Sequence, residues 1–424
     1  MPKQVMYDLI VVGGGASGMM AAGRAAELGA RVLLLEKNKT LGMKLSISGG
    51  GRCNITNAEE NIRVLLKAYG KAEQYLYSLF AQFGIKDTFT FFESRGLPLV
   101  VEAGKRAFPQ THRAADVLAV LRKYIQTGGV TIKTSSPVTK ILSKDGRISG
   151  VQCGASVYTA TQYVFATGSV SHPETGSTGD GFKWLEKLGH TVTPPTPTIV
   201  PLCAAEPWVK ALKGITLPGV KITFYNDGKK AFAKTGKILC THFGISGPVV
   251  LNSAQAVADL LHNGPVTAAI DLHPGVDQGT LGGKIIAVFD ANKNKTLKNV
   301  LKLLVPEGAG RGVLMLLPKE LADTKVHSIT REQRMLIART LKALPLTIEG
   351  LMGFDRAVIA DGGVPLAEVD PKTMRSKKVS NLFVTGDLLH INRPSGGYSL
   401  QLCWSSGFVA GTYAASAFPA DLVQ

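Results

Sequence analysis

Three glycines near the N-terminus have the spacing of a phosphate-binding turn, Gly13-x-Gly15-x-x-Gly18. A short apolar run precedes them, an Ala-rich helical pattern follows them, and Glu36 ends the next apolar run. In such a unit the first glycine permits a tight turn, the second lets the backbone approach a pyrophosphate, and the third lets the helix pack against the strand. The N–H groups and dipole of the helix N-terminus then hold the phosphates. The pattern predicts a dinucleotide-binding site.

The acidic residue narrows the choice of dinucleotide. A carboxylate at Glu36 accepts hydrogen bonds from a ribose diol and repels a 2′-phosphate, so FAD or NAD is favoured over NADP. Two distant strand ends favour FAD. One, from Phe165 to Gly168, ends in a glycine turn of the kind that backs a flavin. In the other, Asp387 follows Gly386, where its carboxylate suits ribityl or ribose hydroxyls.

A third distant segment contributes a helix N-terminus. The turn Gly396-Gly397 leads into an apolar, small-residue helix that starts around Ser399. Its N–H groups suit the N1/C2 carbonyl edge of a flavin, which gains negative charge on reduction. The three segments together predict FAD.

The segment LGMKLSISGGGRCNITN, residues 41–57, follows Glu36 closely. An FAD-binding chain crosses there from the adenosine half to the flavin half of the cofactor. Its glycines allow backbone approach, Lys44 and Arg52 can offset pyrophosphate charge, and Ser48 and Asn54 can donate hydrogen bonds. We therefore expect a cofactor-binding loop.

Apolar periodicity predicts the elements that carry these residues. Tyr7–Val12 predicts a buried strand, about Ser17–Leu28 a helix, and the run ending at Glu36 a second strand, which together form a β-α-β unit. A hairpin is predicted at Asp145-Gly146, and the segment ATQYVFATG predicts a further strand.

The middle of the chain has a different pattern. Five prolines between Pro194 and Pro207 indicate a domain boundary near residue 191, because they leave no room for a continuing helix or a central strand. Alternating hydrophobicity around Asn226-Asp227-Gly228 then predicts a β-barrel-like module. From about Leu281 the periodicity is helical, with a Thr330-x-x-Gln333 capping box before the second helical face. The two apolar faces comprise Leu297, Val300, Leu301, Leu304, Leu336, Ile337, Leu341 and Leu344.

After Ile359 the α/β pattern returns. A chain that opens and closes with α/β pieces around a different middle predicts one discontinuous domain with an insertion. At 424 residues and 45% hydrophobic content, two or three domains of a soluble globular protein are expected.

Composition also bears on the compartment. The N-terminus lacks the pattern of a signal peptide, and no apolar stretch approaches the roughly 20 residues that span a bilayer. The five cysteines are scattered, odd in number and without C-x-x-C spacing, which favours reduced thiols over a disulfide framework or a zinc site. We expect a cytoplasmic protein with no membrane span and no metal site.

The formal charge of +17 is the compositional outlier. Residues 281–342 hold twelve Lys/Arg against five Asp/Glu, so much of the surplus is regional. Such a surplus fits nucleic acid, an acidic ligand or a solubility device. The chain has no Lys/Arg run of five, no aromatic-interleaved basic stripe and no RNP-type or zinc-finger signature, which disfavours nucleic acid. A basic surface around an anionic cofactor and a small, anionic substrate is favoured instead; the oligomeric state is left open.

Seven motifs carry a resemblance to a known family. They are VVGGGASGMMAAGRAA, LGMKLSISGGGRCNITN, FPQTHRAADV, TGSTGDGF, THFGISGPVVLNSA, TMRSKKVSNLFVTGD and PSGGYSLQLCWSSGFVAG, and they run from residue 9 to residue 411. The sequence resembles the BaiN-like flavoproteins, also called the aminoacetone oxidase family of FAD-binding oxidoreductases.

The resemblance implies an α/β fold: a glutathione-reductase-type, discontinuous Rossmann FAD-binding domain with an inserted β-barrel-like domain and a small helical insert. The expected ranges are 1–190 and 356–424 for the FAD-binding domain, 191–280 and 343–355 for the barrel, and 281–342 for the helical insert. Val138 is included among the FAD contacts because the family's strand in this region offers its backbone to the adenine. Carried over by motif, FAD contacts Gly13, Gly15, Ala16, Ser17, Gly18, Glu36, Lys37, Lys44, Ser48, Gly49, Gly50, Arg52, Cys53, Asn54, Val138, Ala166, Thr167, Gly168, Gly386, Asp387, Gly397, Tyr398, Ser399 and Leu400.

The sequence departs from the family pattern at two places that face the expected reaction site. Relatives commonly have an acidic residue and Asp-Gly within LLHINRPSGG, and Tyr-Pro in place of His172-Pro173. His390, Arg393 and His172 would make the pocket more cationic, which suggests an acidic or enolate-like substrate. The candidate proton donors and oxyanion partners are Arg393, His242, His390, His172 and Tyr398.

The expected chemistry is hydride transfer through flavin N5 to a C=C bond conjugated to a carbonyl, followed by protonation. The chain has no second G-x-G-x-x-G after a strand, so NADH or NADPH would visit the flavin directly. One alternative is an amine oxidase of the aminoacetone type that uses O₂. A second alternative, motivated by the charge alone, is a flavin-containing RNA-binding or tRNA-modifying accessory protein.

Overall fold

The computed structural model describes residues 7–416. The strands are β1 Tyr7–Val12, β2 Val32–Leu35, β3 Thr56–Asn57, β4 Leu99–Glu102, β5 Arg106–Pro109, β6 Thr131–Lys133, β7 Lys140–Lys144, β8 Arg147–Cys153, β9 Ser156–Tyr158, β10 Ala160–Phe165, β11 Thr193–Thr198, β12 Leu202–Ala204, β13 Thr216–Asn226, β14 Lys229–Cys240, β15 Gly244–Ser246, β16 Val266–Asp271, β17 Leu344–Leu351, β18 Ile359–Gly363 and β19 Leu382–Val384. The α-helices are α1 Ala16–Glu27, α2 Met43–Ile47, α3 Ile62–Lys67, α4 Glu73–Gln82, α5 Ile85–Glu93, α6 Ala114–Thr127, α7 Asp180–Lys187, α8 Pro207–Ala211, α9 Pro248–Leu251, α10 Ala254–Asn263, α11 Gln278–Asp290, α12 Leu297–Val300, α13 Gly310–Leu314, α14 Arg331–Lys342 and α15 Tyr398–Ala415.

The chain divides into two compact units. Unit 1 comprises residues 1–197 and 358–424, and unit 2 comprises residues 198–357. Unit 1 is therefore discontinuous, with unit 2 inserted into it. The finer division into three domains stays a prediction. Within residues 7–416, no helix combines the length and the apolar character that crossing a membrane requires.

Unit 1 is built on a parallel five-stranded sheet in the order β19-β10-β1-β2-β6. Its register aligns the carboxyl ends of the strands, since Val12 lies opposite both Phe165 and Leu35, and Phe165 lies opposite Val384. Ligands of open α/β sheets bind at this edge. The residues that follow these strands include the glycine turn, Glu36 and the Gly386-Asp387 pair, so the topology brings the predicted site together.

Helices α1 and α15 pack at backbone contact distance. A Cβ on Gly407 would lie 2.4 Å from the Ser17 carbonyl oxygen, and a Cβ on Gly411 would lie 2.4 Å from that of Ala21. Only glycine fits at these two positions, which are one helical turn apart on α15. This close packing fixes where the N-terminus of α15 lies relative to that of α1.

The predicted hairpin at Asp145-Gly146 is confirmed, because Lys144 pairs with Arg147 across it. Strands β7, β8 and β9 form one antiparallel sheet. Strands β3, β5 and β4 form another, in which β3 is the end of residues 41–57.

Unit 2 contains a closed barrel in the order β12-β15-β14-β13-β16-β17. The predicted turn at Asn226-Asp227-Gly228 joins β13 to β14. The expectation that the segment between Pro194 and Pro207 excludes a central strand is wrong. Strand β12 pairs on both sides, with β15 and β17, because its residues Leu202–Ala204 fall between the prolines and keep their N–H groups.

The helical part of unit 2 matches most of the predicted pattern. Thr330 and Gln333 form the predicted capping box at the start of α14. Two of the predicted apolar-face residues behave differently. Leu336 is 38% exposed on α14, because Ile337 and Leu341 already fill the face toward the core. Leu344 is the first residue of β17, because α14 ends at Lys342.

Candidate cofactor and active site

The three glycines of the first turn have the geometry that their spacing predicts. Gly13 has φ +105°, and a Cβ on it would lie 2.5 Å from the Ala166 carbonyl oxygen. A Cβ on Gly18 would lie 1.9 Å from the Gly13 carbonyl oxygen. A Cβ on Gly15 would meet no protein atom within 4 Å, so it would point into open space. Helix α1 begins without a side-chain cap, which leaves its N–H groups for an anion.

Glu36 is buried at the end of β2 and accepts two backbone hydrogen bonds. Its Oε2 accepts from the Gly14 N–H at 2.8 Å and its Oε1 from the Asn38 N–H at 2.8 Å. These bonds hold the carboxylate rigidly against the glycine turn, and each oxygen retains a second lone pair for a ribose hydroxyl. Lys37 instead forms an ion pair with Asp180 at 2.8 Å.

Val138 lies in the loop between β6 and β7 rather than in a strand, so the strand expected at this position is wrong. The same loop is tied to the Glu36 segment, because the Ser136 N–H donates to the Glu36 carbonyl oxygen at 2.9 Å. The turn after β10 includes Ala166, Thr167 and Gly168, and Gly168 has φ +71°. Both segments stand at the carboxyl edge of the sheet.

The loop of residues 41–57 contains a run of left-handed backbone. Gly49, Gly50 and Gly51 have φ values of +57°, +66° and +84°, and Cys53 has +58°. A Cβ on Gly50 or Gly51 would meet no atom within 4 Å. Glycine alone adopts such a run at low cost, so the three consecutive glycines are a requirement of this turn.

Two side chains of this loop, those of Cys53 and Arg52, contact other parts of the protein. Cys53 is buried, and burial raises the pKa of its thiol to about 12. Arg52 forms an ion pair with Glu102, lies 2.8 Å from His112 Nδ1 and stacks on Phe108 with its Cζ 4.2 Å from the ring centre. The pyrophosphate contact predicted for Arg52 stays a prediction.

The N-terminus of α15 is clamped against the same loop. Gly397 has φ +99°, and a Cβ on it would lie 2.2 Å from the Thr56 carbonyl carbon. With its amide oriented to satisfy all three neighbours, Asn54 donates to the Thr56 and Ala107 carbonyls and accepts from the Gly397 N–H at 3.0 Å. Helix α15 begins at Tyr398 without a side-chain cap, so its first N–H groups are available to a ligand.

A buried charged cluster lies beside this helix start. Arg393 is 3% exposed; it forms an ion pair with Asp387, donates through Nε to Ser399 Oγ at 3.0 Å and through Nη1 to the Ile391 carbonyl at 2.6 Å. Three of its five N–H groups are thus engaged by the protein, which suits a residue that positions Asp387 and Ser399. Lys44 donates to Ser171 Oγ at 3.0 Å; burial lowers its pKa, and the nearby Asp387 carboxylate opposes that shift.

The remaining catalytic candidates differ in their surroundings. His390 is 36% exposed, and its Nε2 lies 3.5 Å from Asp361 Oδ1. His172 has φ +51° and pairs through Nδ1 with Glu174 at 2.8 Å. Tyr398 packs edge-on against the Tyr69 ring and accepts a hydrogen bond from the Tyr69 hydroxyl on its carbonyl oxygen at 2.9 Å.

His242 belongs to unit 2, where its ring packs against Phe243. The other four catalytic candidates belong to unit 1. The assignment of all five as catalytic stays a prediction.

Sequence reasoning missed three polar residues at the site. Ser171 binds Lys44, Asp361 faces His390, and Gln401 accepts from the Thr56 hydroxyl at 2.6 Å. Each pair joins residues between 29 and 345 positions apart, and none lies in a spaced motif. The Gly362-Gly363 pair that follows Asp361 is the one local signal, because both glycines have positive φ and mark a close backbone approach.

These residues fit FAD. The space over Gly15, the carboxylate of Glu36 and the uncapped starts of α1 and α15 supply what a pyrophosphate, a ribose and a flavin edge require.

Comparison with known proteins is consistent with this geometry. The sequence profile described as "HI0933-like protein Rossmann domain" matches residues 7–413. The chain is 30% identical over 422 residues to the 3-dehydro-bile acid delta(4,6)-reductase of Clostridium scindens, which covers 97% of this chain and 99% of that protein. It is 28% identical over 404 residues to the ribosomal RNA dihydrouridine synthase of Escherichia coli, at 95% and 96% coverage.

Among solved structures, the 3-ketosteroid-delta4-(5alpha)-dehydrogenase from Rhodococcus jostii RHA1 superposes with a TM-score of 0.55 at 15% identity, covering 98% of each chain. At that identity the likeness is one of fold.

Proposed function

The chain belongs to the HI0933-like Rossmann-domain family and is an FAD-dependent oxidoreductase, and from that premise we propose that it reduces a C=C bond conjugated to a carbonyl, with NADH or NADPH as the source of hydride. The observation that carries the proposal is similarity over nearly the whole chain to two enzymes of this chemistry. The name of the first describes a 3-oxo steroid with double bonds at positions 4 and 6. The name of the second describes dihydrouridine formation, in which the uracil C5=C6 bond beside the C4 carbonyl is saturated.

The cysteines of unit 1 support hydride chemistry over thiol exchange. Burial raises the pKa of Cys53 to about 12 and that of Cys403 to about 12. At neutral pH both are thiols, and the thiol is a poor nucleophile compared with the thiolate. A disulfide relay of the kind that other two-domain flavoproteins use is therefore disfavoured here.

Bound FAD would supply two-electron chemistry at its N5 atom. The N–H groups at the start of α1 would hold the pyrophosphate, and Glu36 the adenosine ribose. Asp387, held by Arg393, would accept hydrogen bonds from ribityl hydroxyls. The N–H groups at the start of α15 would stabilise negative charge on the flavin N1/C2 edge.

The proton that completes the reduction would come from His390. Arg393 is 3% exposed and already binds three protein groups, whereas His390 is partly exposed and has a carboxylate, Asp361, 3.5 Å from its Nε2. A carboxylate beside an imidazole orients the ring. His390 would thus be the group that gives a proton to the substrate carbon.

Anaerobic stopped-flow spectroscopy of the yellow protein tests the proposal. Fast bleaching by NADH or NADPH, recovery of the colour on adding an enone or a uridine-containing RNA, and slow recovery with O₂ are expected. Bleaching by amines alone, with rapid formation of hydrogen peroxide, would establish the amine oxidase instead. Protein that purifies colourless and binds no added FAD would overturn the assignment altogether.

Similarity to the ribosomal RNA dihydrouridine synthase, taken together with the charge, favours uridine in RNA as a second candidate substrate beside a small enone. The formal net charge of +17 is far more than is required to balance the charge of one anionic cofactor. Twelve of the chain's Lys and Arg residues lie in residues 281–342. Single-turnover experiments distinguish the two candidate substrates. They compare the rate at which an RNA oligonucleotide oxidises the reduced flavin with the rate for an enone at equal concentration.

A further inference from the structure

A cavity of about 370 Å³ opens in the helical part of unit 2. Its polar lining comprises Asp290 at the end of α11, Arg334 in the first turns of α14, and Lys293 and His327 in the connecting segments. The volume lies within the range of roughly 300–1,000 Å³ that is usual for ligand sites. None of these residues belongs to the FAD site described above.

Backbone pairing holds the cavity wall in shape. Residues 293–297 and 324–327 run antiparallel, with the Leu297 N–H donating to the Thr324 carbonyl at 2.9 Å and the Val326 N–H to the Lys295 carbonyl at 3.0 Å. His327 Nδ1 lies 2.7 Å from the Lys293 carbonyl. Because a carbonyl only accepts, Nδ1 carries the proton, and Nε2 remains free to accept or, when protonated, to donate.

The cations of the cavity have little internal compensation. Among residues 7–416, none of the ion pairs within 4.0 Å includes Lys293 or Arg334, although the charge of Arg334 contributes to lowering the pKa of Glu332. Arg334 uses Nη1 to bind the Ile329 carbonyl at 2.7 Å, which fixes the guanidinium while its other N–H groups stay available. Asp290 is the acidic member of the lining, so the cavity carries a cationic excess.

The rest of the lining is apolar. Phe289 and Val326 are 4% and 2% exposed and close the base of the cavity, and Ile286, 47% exposed at the opening, provides the accessible apolar wall. A site that combines fixed cations with an apolar wall suits a ligand with an anionic end and a flat or sugar-like body. A nucleotide within an RNA chain has that composition, with its phosphate, ribose and base.

We propose that this cavity is an RNA-docking site that takes one backbone phosphate between Lys293 and Arg334 and places the attached nucleoside against the apolar wall. This proposal rests on the proposed function with uridine in RNA as its substrate. The surrounding segment 281–342, with twelve basic and five acidic residues, supplies the long-range attraction that brings the polyanion to the site.

The test uses the FAD-loaded full chain and a fluorescein-labelled RNA hairpin with a uridine-containing loop, with binding followed by anisotropy from low to moderate salt. The variant Lys293→Glu/Arg334→Glu should weaken binding by about tenfold or more. It should also reduce the slope of log affinity against log salt by about 0.7–0.9, because one phosphate contact is lost. The single variant Lys293→Glu, whose side chain is exposed, covers the case in which the double variant unfolds.

The charge-matched control is Lys210→Glu/Lys213→Glu, which changes the net charge by the same amount on exposed residues that do not line the cavity. Equal weakening by both variants would overturn the site, since net charge alone would then explain binding. Displacement of the RNA by NADP⁺ in the wild type but not in Lys293→Glu would assign the cavity to the nicotinamide cofactor and also overturn it.

Failure of this proposal is distinguishable from failure of the proposed function. A wild-type protein that binds no RNA but is oxidised by an enone would overturn the docking site and leave the C=C reductase intact. If RNA binding depends on Lys293, yet neither an enone nor uridine oxidises the reduced flavin, the C=C reductase is overturned and the docking site stands.

Discussion

Replacing Gly15 by alanine should separate cofactor binding from folding. A Cβ there would meet no protein atom within 4 Å, and the backbone at φ −81° and ψ −166° is one that alanine adopts freely. The apo-protein should keep its free energy of unfolding or gain about 0.4–1 kcal/mol through a less flexible unfolded chain. The methyl group would occupy the space over the first N–H groups of α1 and remove one charge-assisted hydrogen bond to the pyrophosphate. A loss of about 1.5–3 kcal/mol corresponds to a Kd for FAD weaker by about 10- to 150-fold.

The matched control lies on the same turn. In Gly18→Ala the new Cβ would lie 1.9 Å from the Gly13 carbonyl oxygen, so α1 must move away from the strand. That variant should lose about 1–3 kcal/mol of apo stability, as overpacked cores do. Flavin fluorescence titration of the apo-protein gives Kd, and urea unfolding gives stability. Wild-type FAD affinity in a folded Gly15→Ala protein would refute the pyrophosphate assignment.

Three further substitutions test other parts of the candidate site and of the fold of unit 1. Arg52→Ala should weaken FAD retention, measured as bound flavin after gel filtration; full occupancy would show that its contact with Glu102 serves packing alone. His390→Gln should lower the rate of substrate reduction while leaving flavin bleaching by nicotinamide unchanged, so an unaltered pH profile of the oxidative half-reaction would exclude it as proton donor. Burial acts to raise the pKa of Glu368, but hydrogen bonds from Lys378 and others outweigh it and lower the pKa from 4.5 to about 2. Its stabilisation is therefore complete above pH 4.5 and lost toward pH 2, and the Tm difference between wild type and Glu368→Gln should shrink over that interval. A constant difference would show that the ion pair of Glu368 with Lys378, 2.8 Å apart, does not stabilise the fold.

Local patterns determined much of the fold because they depend on neighbours in the chain. The glycine spacing of residues 13–18 requires a turn that only such residues can make, and the structure has it. The Thr330-Gln333 capping box and the Asp145-Gly146 hairpin are likewise set within a few residues. The cofactor was predictable for the same reason, since the loop of residues 41–57 contains three consecutive glycines with left-handed backbone.

The sequence by itself thus determined the strand-turn-helix unit, the cofactor and the family, while the tertiary structure alone decided how the charged side chains are used. Arg393 is a buried partner of Asp387 rather than a free cation, and His390 faces Asp361 across 29 residues of chain. Pairing on both sides of β12 and the exposure of Leu336 depend on packing against distant elements in the same way. Turn and cap preferences act over three or four residues, whereas the partner of a charge is whichever group the packing brings within a few ångströms of it.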